Sequence, residues 1–258
     1  MGLNNKNVTP ANIKSGKQKF SRFYLVIMKF VPTYILIIGI MILLLSAPVG
    51  AKKLKTREFK PETPINVVKI NSTFDSRFNV AINIDASKYA GNRHLVKVTA
   101  HPGIIDQVLL KTHGSILSIL PMFPLGDDYD IGITIFMANL IDLKSIGTNN
   151  VHVTGINAPS FTAFLKGTGK IVLSGAAEDA SIQIAGKVRV EASDFAATVM
   201  EIYAGGYTRA VVRPVEHLHI VAKNASVVFY IRVAGSEIII HSGSGRVKAI
   251  HSDNEAVF

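Results

Sequence analysis

A pair of closely spaced glycines recurs between short β-branched runs in the second half of this chain. Near residue 243 the sequence reads IIIHSGSGRVKAI, and near residue 167 it reads FLKGTGKIVL, with the same order of strand, Gly-x-Gly and strand. β-branched runs favour strands, and the glycines permit the positive φ of a tight turn. A phosphate-binding loop would need a helix directly after the glycines, and a flexible Gly/Ser linker is usually longer. The pattern therefore predicts a corner between two strands.

The corner recurs at a nearly constant spacing. The equivalent positions, in chain order, are Gly147, Gly167, Ala185, Gly205, Lys223 and Gly243. The spacing between successive positions alternates between 20 and 18, and the repeats cover residues 140–251. A repeat of this length holds two short strands and two corners, which is the length of one coil of a β-solenoid rather than of a propeller blade.

Apolar and polar residues alternate within the repeats, as in strands with one wet face. The side chains predicted to point inward are Ile182, Ile184, Val188, Val190, Leu218, Ile220, Ile238 and Ile240. Those predicted to point outward are Gln183, Lys187, Arg189, His219 and His241. One coil cannot bury its apolar face alone, so the coils must stack around a shared core. The sequence predicts an all-β, single-domain β-solenoid with coils of about 19 residues.

Eight glycines are predicted to act as structural corners. They are Gly147, Gly167, Gly169, Gly186, Gly205, Gly206, Gly243 and Gly245. Substitution of these residues is expected to harm folding rather than a catalytic step, because other residues are strained in a left-handed turn.

The corners also carry a resemblance to a known family. The Gly-x-Gly motifs at 167–169 and 243–245, their spacing, and the phrases LKGTGKIVLSG and HSGSGRVKAI resemble the bacterial family called putative autotransporter adhesin, head GIN domain. The resemblance covers residues 140–251, with residues 65–137 as a lead-in. It implies an exported two-sheet superhelix, similar in shape to pectate-lyase-like β-helices, with no catalytic residues and with an adhesive role. The middle corners lack Gly-Ser-Gly, which leaves the geometry of their coils open.

The N-terminal segment 1–51 differs from the rest in charge and hydropathy. It contains six Lys or Arg and no Asp or Glu, so all of the chain's acidic side chains lie in the remainder. Residues 30–51 form an uncharged stretch, and its densest part, 35–45, is an unbroken apolar run typical of a signal peptide. The sequence Val49-Gly50-Ala51 predicts cleavage after Ala51. A conventional signal peptide would begin at Met28, which makes residues 1–27 an upstream extension.

An uncleaved membrane anchor is the alternative, because the uncharged stretch 30–51 is just long enough to span a bilayer. Both alternatives place the β-domain outside the cytoplasm. The expected location is the periplasm, the outer surface or the medium, or the inner membrane if residues 30–51 remain attached. Residues 52–64 (KKLKTREFKPETP) are charged and contain proline, which predicts a linker before the domain at 65–258. The strands predicted in the lead-in are Ile65–Ile70, Phe78–Asp85, Leu95–Ala100 and a hairpin at Val108–Leu120 that turns at His113-Gly114.

Composition excludes several classes of site. The chain has no cysteine, which excludes a disulfide framework, a thiolate metal site and a catalytic thiol. No basic stripe interleaved with aromatic residues is visible, so nucleic acid is not an expected partner.

Few residues suggest catalysis or metal binding. His217 and His219 lie two apart on a predicted strand and share a face, but zinc needs three or four ligands. Calcium binding through Asp127, Asp128 and Asp130 lacks the glycine and the closing glutamate of an EF-hand. The carboxylates nearest to what a polysaccharide-acting enzyme would need are Glu178, Asp179, Glu191 and Asp194. No catalytic, metal or cofactor site is predicted.

The sequence thus predicts a non-enzymatic, exported cell-envelope or surface protein that acts as an adhesion or binding scaffold. Its expected partner is a protein or a glycan. The alternatives are a membrane-tethered periplasmic module that senses or stabilises a partner and, less favoured, a β-helix enzyme that acts on polysaccharides. The open end of a coil stack also leaves room for a homo-oligomer.

Overall fold

The computed structural model describes residues 54–72, 79–86, 94–121, 130–231 and 235–251. The predicted signal or anchor at 1–51, its cleavage site and the aspartates at 127 and 128 lie outside these ranges. None of the helices in the described ranges has the length and apolar character needed to cross a membrane.

The described residues form an all-β fold, in which thirteen strands belong to one hydrogen-bonded sheet. The strands are β1 (Lys55–Phe59), β2 (Val67–Ser72), β3 (Asn79–Asp85), β4 (Leu95–Ala100), β5 (Val108–His113), β6 (Ile116–Pro121), β7 (Asp130–Phe136), β8 (Asp142–Thr148), β9 (Asn150–Gly206), β10 (Arg209–Ala222), β11 (Val227–Ile231), β12 (Ser236–His241) and β13 (Arg246–Ile250). A single 3-10 turn occurs at Ile105–Gln107 among the described residues. The strands predicted in the lead-in are therefore confirmed to within a few positions.

The second half of the chain pairs with itself in parallel, each position beside the equivalent position of the next repeat. Gly147 of β8 pairs with Gly167 of β9. β10 pairs in parallel with β9 on one side and with β11 and β12 on the other. Because β9 is 57 residues long, about ten times a typical strand, it folds back against itself at bends.

The first half joins the sheet in an order that differs from the sequence. β2 lies between β6 and β8, and both pairs are parallel. β3 lies between β7 and β9 in the same way. Antiparallel pairs complete the strand order on both sides. β5 pairs with β6 on one side, and β4 pairs with β7 and β1 with β4 on the other. These antiparallel strands occupy the two ends of the main strand order.

Strand β1 lies inside the segment predicted as a linker. Its sequence KTREF is mostly exposed, and its backbone pairs with β4 along its whole length. Charge and proline content predicted the linker, but charged residues are also typical of an edge strand that must not attract another chain.

One large core of apolar side chains runs through the fold. Phe161 and Phe195 meet edge to face inside it, with ring centroids 5.3 Å apart, and both are fully buried. The predicted inward residues Ile182, Ile184, Val188, Val190, Leu218 and Ile220 are all buried. Each buried aliphatic side chain of this kind contributes about 1.5–3 kcal/mol.

The inward prediction is wrong for Ile238 and Ile240, which are 58% and 51% exposed. Paired residues of parallel strands share a face, and buried Leu218 and Ile220 pair with Glu237 and Ile239. Where paired residues are separated by an even number of positions, inward-facing residues keep the same parity in the sequence. The spacing between β10 and β12 is odd, which reverses the parity and places Ile238 and Ile240 on the outer face.

Candidate binding surface

Six residues at or directly after the predicted corner positions form a column of left-handed residues. Its members and their φ angles are Gly147 (106°), Gly167 (125°), Gly186 (98°), Gly206 (83°), Asn224 (60°) and Gly243 (67°). A Cβ added to Gly167 would overlap the carbonyl oxygen of Gly147, and one added to Gly186 would overlap that of Gly167. The N–H of Ala225 donates to the Gly206 carbonyl oxygen at 3.0 Å, so Asn224 continues the column. We call these six residues the corner column.

Two of the predicted corner glycines occupy other positions. Gly205 and Gly245 lack the positive φ of the corner column. The sequence predicted corners at Ala185, Gly205 and Lys223. The members of the corner column lie one position later in each case. Gly169 also has a positive φ, 129°, and stacks against the carbonyl of Asn149 rather than on the corner column.

At two of the six corners, the residue two positions after the corner is both polar and buried. Asn149 joins two serines inside the fold: the Ser72 hydroxyl donates to its Oδ1 at 2.7 Å, and its Nδ2 donates to the Ser145 Oγ at 3.0 Å. Ser226, in the corresponding position, donates through its Oγ to the Lys223 carbonyl at 2.8 Å. Such bonds offset the cost of burying polar groups at the corners.

An open groove of about 260 Å³ lies beside the corner column, on the outer face of the sheet. We call it the outer groove, and its lining residues include Phe164, Gln183, Ala185, Tyr203, Gly205, Val221 and Lys223. Ala185 and Gly205 carry small side chains or none, which leaves the space between the larger residues open. The groove is therefore apolar, with an amide and an ammonium group among its lining residues.

The two aromatic residues of the outer groove are held by neighbours. The Tyr203 ring packs edge to face against His219, with centroids 5.8 Å apart, and 38% of Tyr203 remains exposed. The Lys144 ammonium lies 5.5 Å from the centroid of the Phe164 ring, close enough for a cation–π contact. The rings are thus positioned before any ligand arrives.

Sequence comparison then places the chain. The family model described as "Putative auto-transporter adhesin, head GIN domain" matches residues 79–233, which is more than half of the 258 residues. The chain belongs to the head GIN domain family. The resemblance predicted from its corners is confirmed. Among curated proteins no match was found.

Three solved structures are similar to this chain. A putative adhesin from Bacteroides fragilis has a TM-score of 0.60 at 18% identity, covering 78% of this chain and 98% of that protein. A putative adhesin from Parabacteroides merdae gives 0.42 at 15% identity, and a putative lipid binding protein from Parabacteroides distasonis gives 0.42 at 18%, each with the same coverage. The first likeness shows that the all-β fold is shared.

The carboxylates considered for catalysis differ in their surroundings. Glu191 lies between two cations, with its Oε2 at 2.6 Å from Lys170 Nζ and its Oε1 at 3.1 Å from an Arg189 guanidinium nitrogen. Glu178, Asp179 and Asp194 are at least partly exposed.

The two histidines of β10 have separate partners. His217 Nδ1 lies 2.8 Å from the Ser236 Oγ, whereas His219 contacts the Tyr203 ring. Within the described ranges, no three His, Cys, Asp or Glu side chains are grouped as metal ligands would be. His219 instead helps to fix an aromatic wall of the outer groove.

Sequence reasoning did not identify the outer groove. Phe164, Gln183, Tyr203 and Val221 recur at nearly the period of the corners. Comparing the outward-facing positions of successive predicted repeats would have grouped these four residues on one surface.

Proposed function

We propose that this head GIN domain is a non-enzymatic binding scaffold of the cell envelope or surface, and that it holds a glycan or protein chain in the outer groove. The domain would act as a β-solenoid with coils of about 19 residues. The parallel pairing of equivalent positions in successive repeats supports that architecture. The observation that carries the proposal is the aromatic pair Phe164 and Tyr203 beside the small residues Ala185 and Gly205.

The chemistry of the outer groove favours one unit of a polymer. Its volume of about 260 Å³ is below the ~300–1,000 Å³ of pockets that enclose a small molecule. The apolar face of a sugar ring can stack on Phe164 or Tyr203, while Gln183 and Lys223 can donate hydrogen bonds to hydroxyl groups. Aromatic surface is also typical of protein-binding sites, so a protein chain is the second ligand class.

Export is the other half of the proposal. The uncharged stretch at 30–51 and the basic residues before it support transfer across the inner membrane. Cleavage after Ala51 would release a scaffold that starts at Lys52. Retention of the stretch would instead tether the domain in the periplasm, where it would sense or stabilise an envelope partner.

Cell fractionation with N-terminal sequencing of the native protein tests the location. A soluble or outer-surface species that starts at Lys52 supports the released scaffold. An inner-membrane species that retains residues 30–51 supports the tethered module. A cytoplasmic species would contradict the proposal in both forms.

Binding is tested with an array of glycans and extracellular matrix proteins, using the wild-type protein and the variant Tyr203→Ala. Loss of one stacked ring is expected to weaken binding by about fivefold or more, since an aromatic contact contributes about 1–3 kcal/mol. The matched control is Tyr207→Ala, because Tyr207 is 78% exposed and does not line the outer groove. Equal loss in both variants would contradict the assignment of the site.

A further inference from the structure

The sheet ends at β12 in an unusual edge strand. Among the described residues, the backbone of β12 pairs only with β10. Ile238, Ile239 and Ile240 are consecutive in it and are 58%, 38% and 51% exposed. Natural sheets usually protect such an edge with charge, proline or a bulge, since unpaired N–H and C=O groups recruit another strand.

The opposite end of the fold shows that protection. Strand β1 is an edge strand there, with the sequence KTREF, and it carries three charged residues where β12 carries three isoleucines. The contrast indicates that β12 is covered in the functional molecule.

The sequence of β12 fits a second copy of itself. We propose that two copies of this chain associate through β12, antiparallel, about a twofold axis at Ile239. In that register Ile238 faces Ile240 of the other copy, Ile239 faces its own equivalent, and Glu237 faces His241. The pairing is isologous, as closed dimers require, and it places a carboxylate opposite an imidazole.

An alternative twofold axis through the neighbouring edge strand β13 is less favourable than the axis at Ile239. An axis at the centre of β13 would place Lys248 opposite its own equivalent, and like charges directly opposite are destabilising. The axis at Ile239 instead places apolar side chains at the centre and polar side chains on either side. Within β12, side chains alternate between the two faces, so both faces gain apolar contacts.

Cysteine cross-linking of the full chain, purified in detergent, tests the register. The chain has no cysteine of its own, so only introduced thiols can react. Under oxidation, either Ile239→Cys or the double variant Ile238→Cys/Ile240→Cys should form a disulfide-linked dimer. Directly opposite pairs alternate between close and wide spacing, so at least one of the two variants has the shorter Cβ separation that a disulfide needs. Ile238→Cys alone should stay uncross-linked, because it faces Ile240.

Analytical ultracentrifugation supplies the second measurement. The wild-type chain should show a concentration-dependent dimer. Ile239→Lys should raise the dissociation constant at least tenfold, whereas Val215→Lys, at a 45% exposed site on β10, should leave it unchanged.

Three outcomes would overturn the proposal. The first is a wild-type chain that stays monomeric at tens of micromolar protein. The second is cross-linking of Ile238→Cys as efficient as that of the better cross-linked of Ile239→Cys and Ile238→Cys/Ile240→Cys, which would exclude the register. The third is dimerisation only after deletion of residues 252–258, which would identify that segment as the occupant of the edge.

Discussion

Gly206 and Gly205 are neighbours in the chain, yet only one of them needs to be glycine. A Cβ at Gly206 would lie 2.6 Å from the Gly186 carbonyl oxygen, and its φ is 83°. A Cβ at Gly205 would find nothing closer than the Ile184 carbonyl oxygen at 4.0 Å. The corner requires the second glycine, and the first borders the outer groove.

Gly206→Ala should therefore destabilise the fold, and Gly205→Ala should not. The left-handed backbone costs a residue with a Cβ about 1–2 kcal/mol, and the overlap with Gly186 adds to that cost. For a domain of this size we expect a melting temperature lower by about 4 °C or more. The Gly205 variant should stay within about 0.5 kcal/mol of wild type. Equal shifts in thermal unfolding for the two variants would argue against the corner column.

These two glycines also illustrate how far the sequence could predict the fold. Their spacing from Gly167 and Gly243 predicted the all-β class, which the structure confirms, and parallel pairs such as those of β8 with β9 and of β9 with β10 are compatible with that spacing. The sequence could not show which of two adjacent residues adopts the left-handed corner, because Ala185-Gly186 and Lys223-Asn224 each contain two candidates for it. Only the backbone angles and the contact with the preceding corner distinguish them.

Long-range pairing was the other limit of sequence reasoning. Lead-in strands such as Leu95–Ala100 were predicted from their β-branched residues. The position of β2 between β6 and β8 depends on partners far apart in the sequence, such as Val67 with Ile116 and with Asp142. No local pattern specifies such pairs. The exposure of Ile238 was missed for a related reason, since a one-residue change in spacing reverses every side chain of a strand.

Replacement of Asn149 tests the buried polar network. Asn149→Leu removes a hydrogen-bond partner of Ser72 and of Ser145, which are both buried. A buried polar group without a partner costs about 1–3 kcal/mol, and the Ser72 hydroxyl keeps the Ile146 carbonyl oxygen as an acceptor at 3.3 Å, so a loss of about 1–3 kcal/mol is expected. Urea unfolding would measure it, with Asn157→Leu, at an exposed site, as the control. The network would be unimportant if both variants unfolded at the wild-type midpoint.

His94 makes stability depend on pH. Burial lowers the pKa of His94 below its usual value of 6.5, and its Nδ1 has no hydrogen-bond partner within the described part of the chain. The unfolded chain then binds the proton more readily than the folded one, so stability should fall as pH drops through about 6.5 towards the lowered pKa. His94→Gln removes this titration. Urea midpoints at pH 7.5 and 5.5 should differ less in the variant than in wild type, and equal differences would contradict the assignment.

Gly205→Leu tests the outer groove without disturbing the corner. Because the site has room for a Cβ and no positive φ, a leucine side chain can extend across the groove, where Ala185 and Tyr203 are also lining residues. Thermal unfolding should stay near wild type, while binding to any glycan or protein selected by the wild-type domain should fall at least tenfold. The matched variant Thr168→Leu changes a corner residue that does not line the groove and should bind normally. A Gly205→Leu protein that folds and binds as wild type would show that the ligand uses another face of the domain.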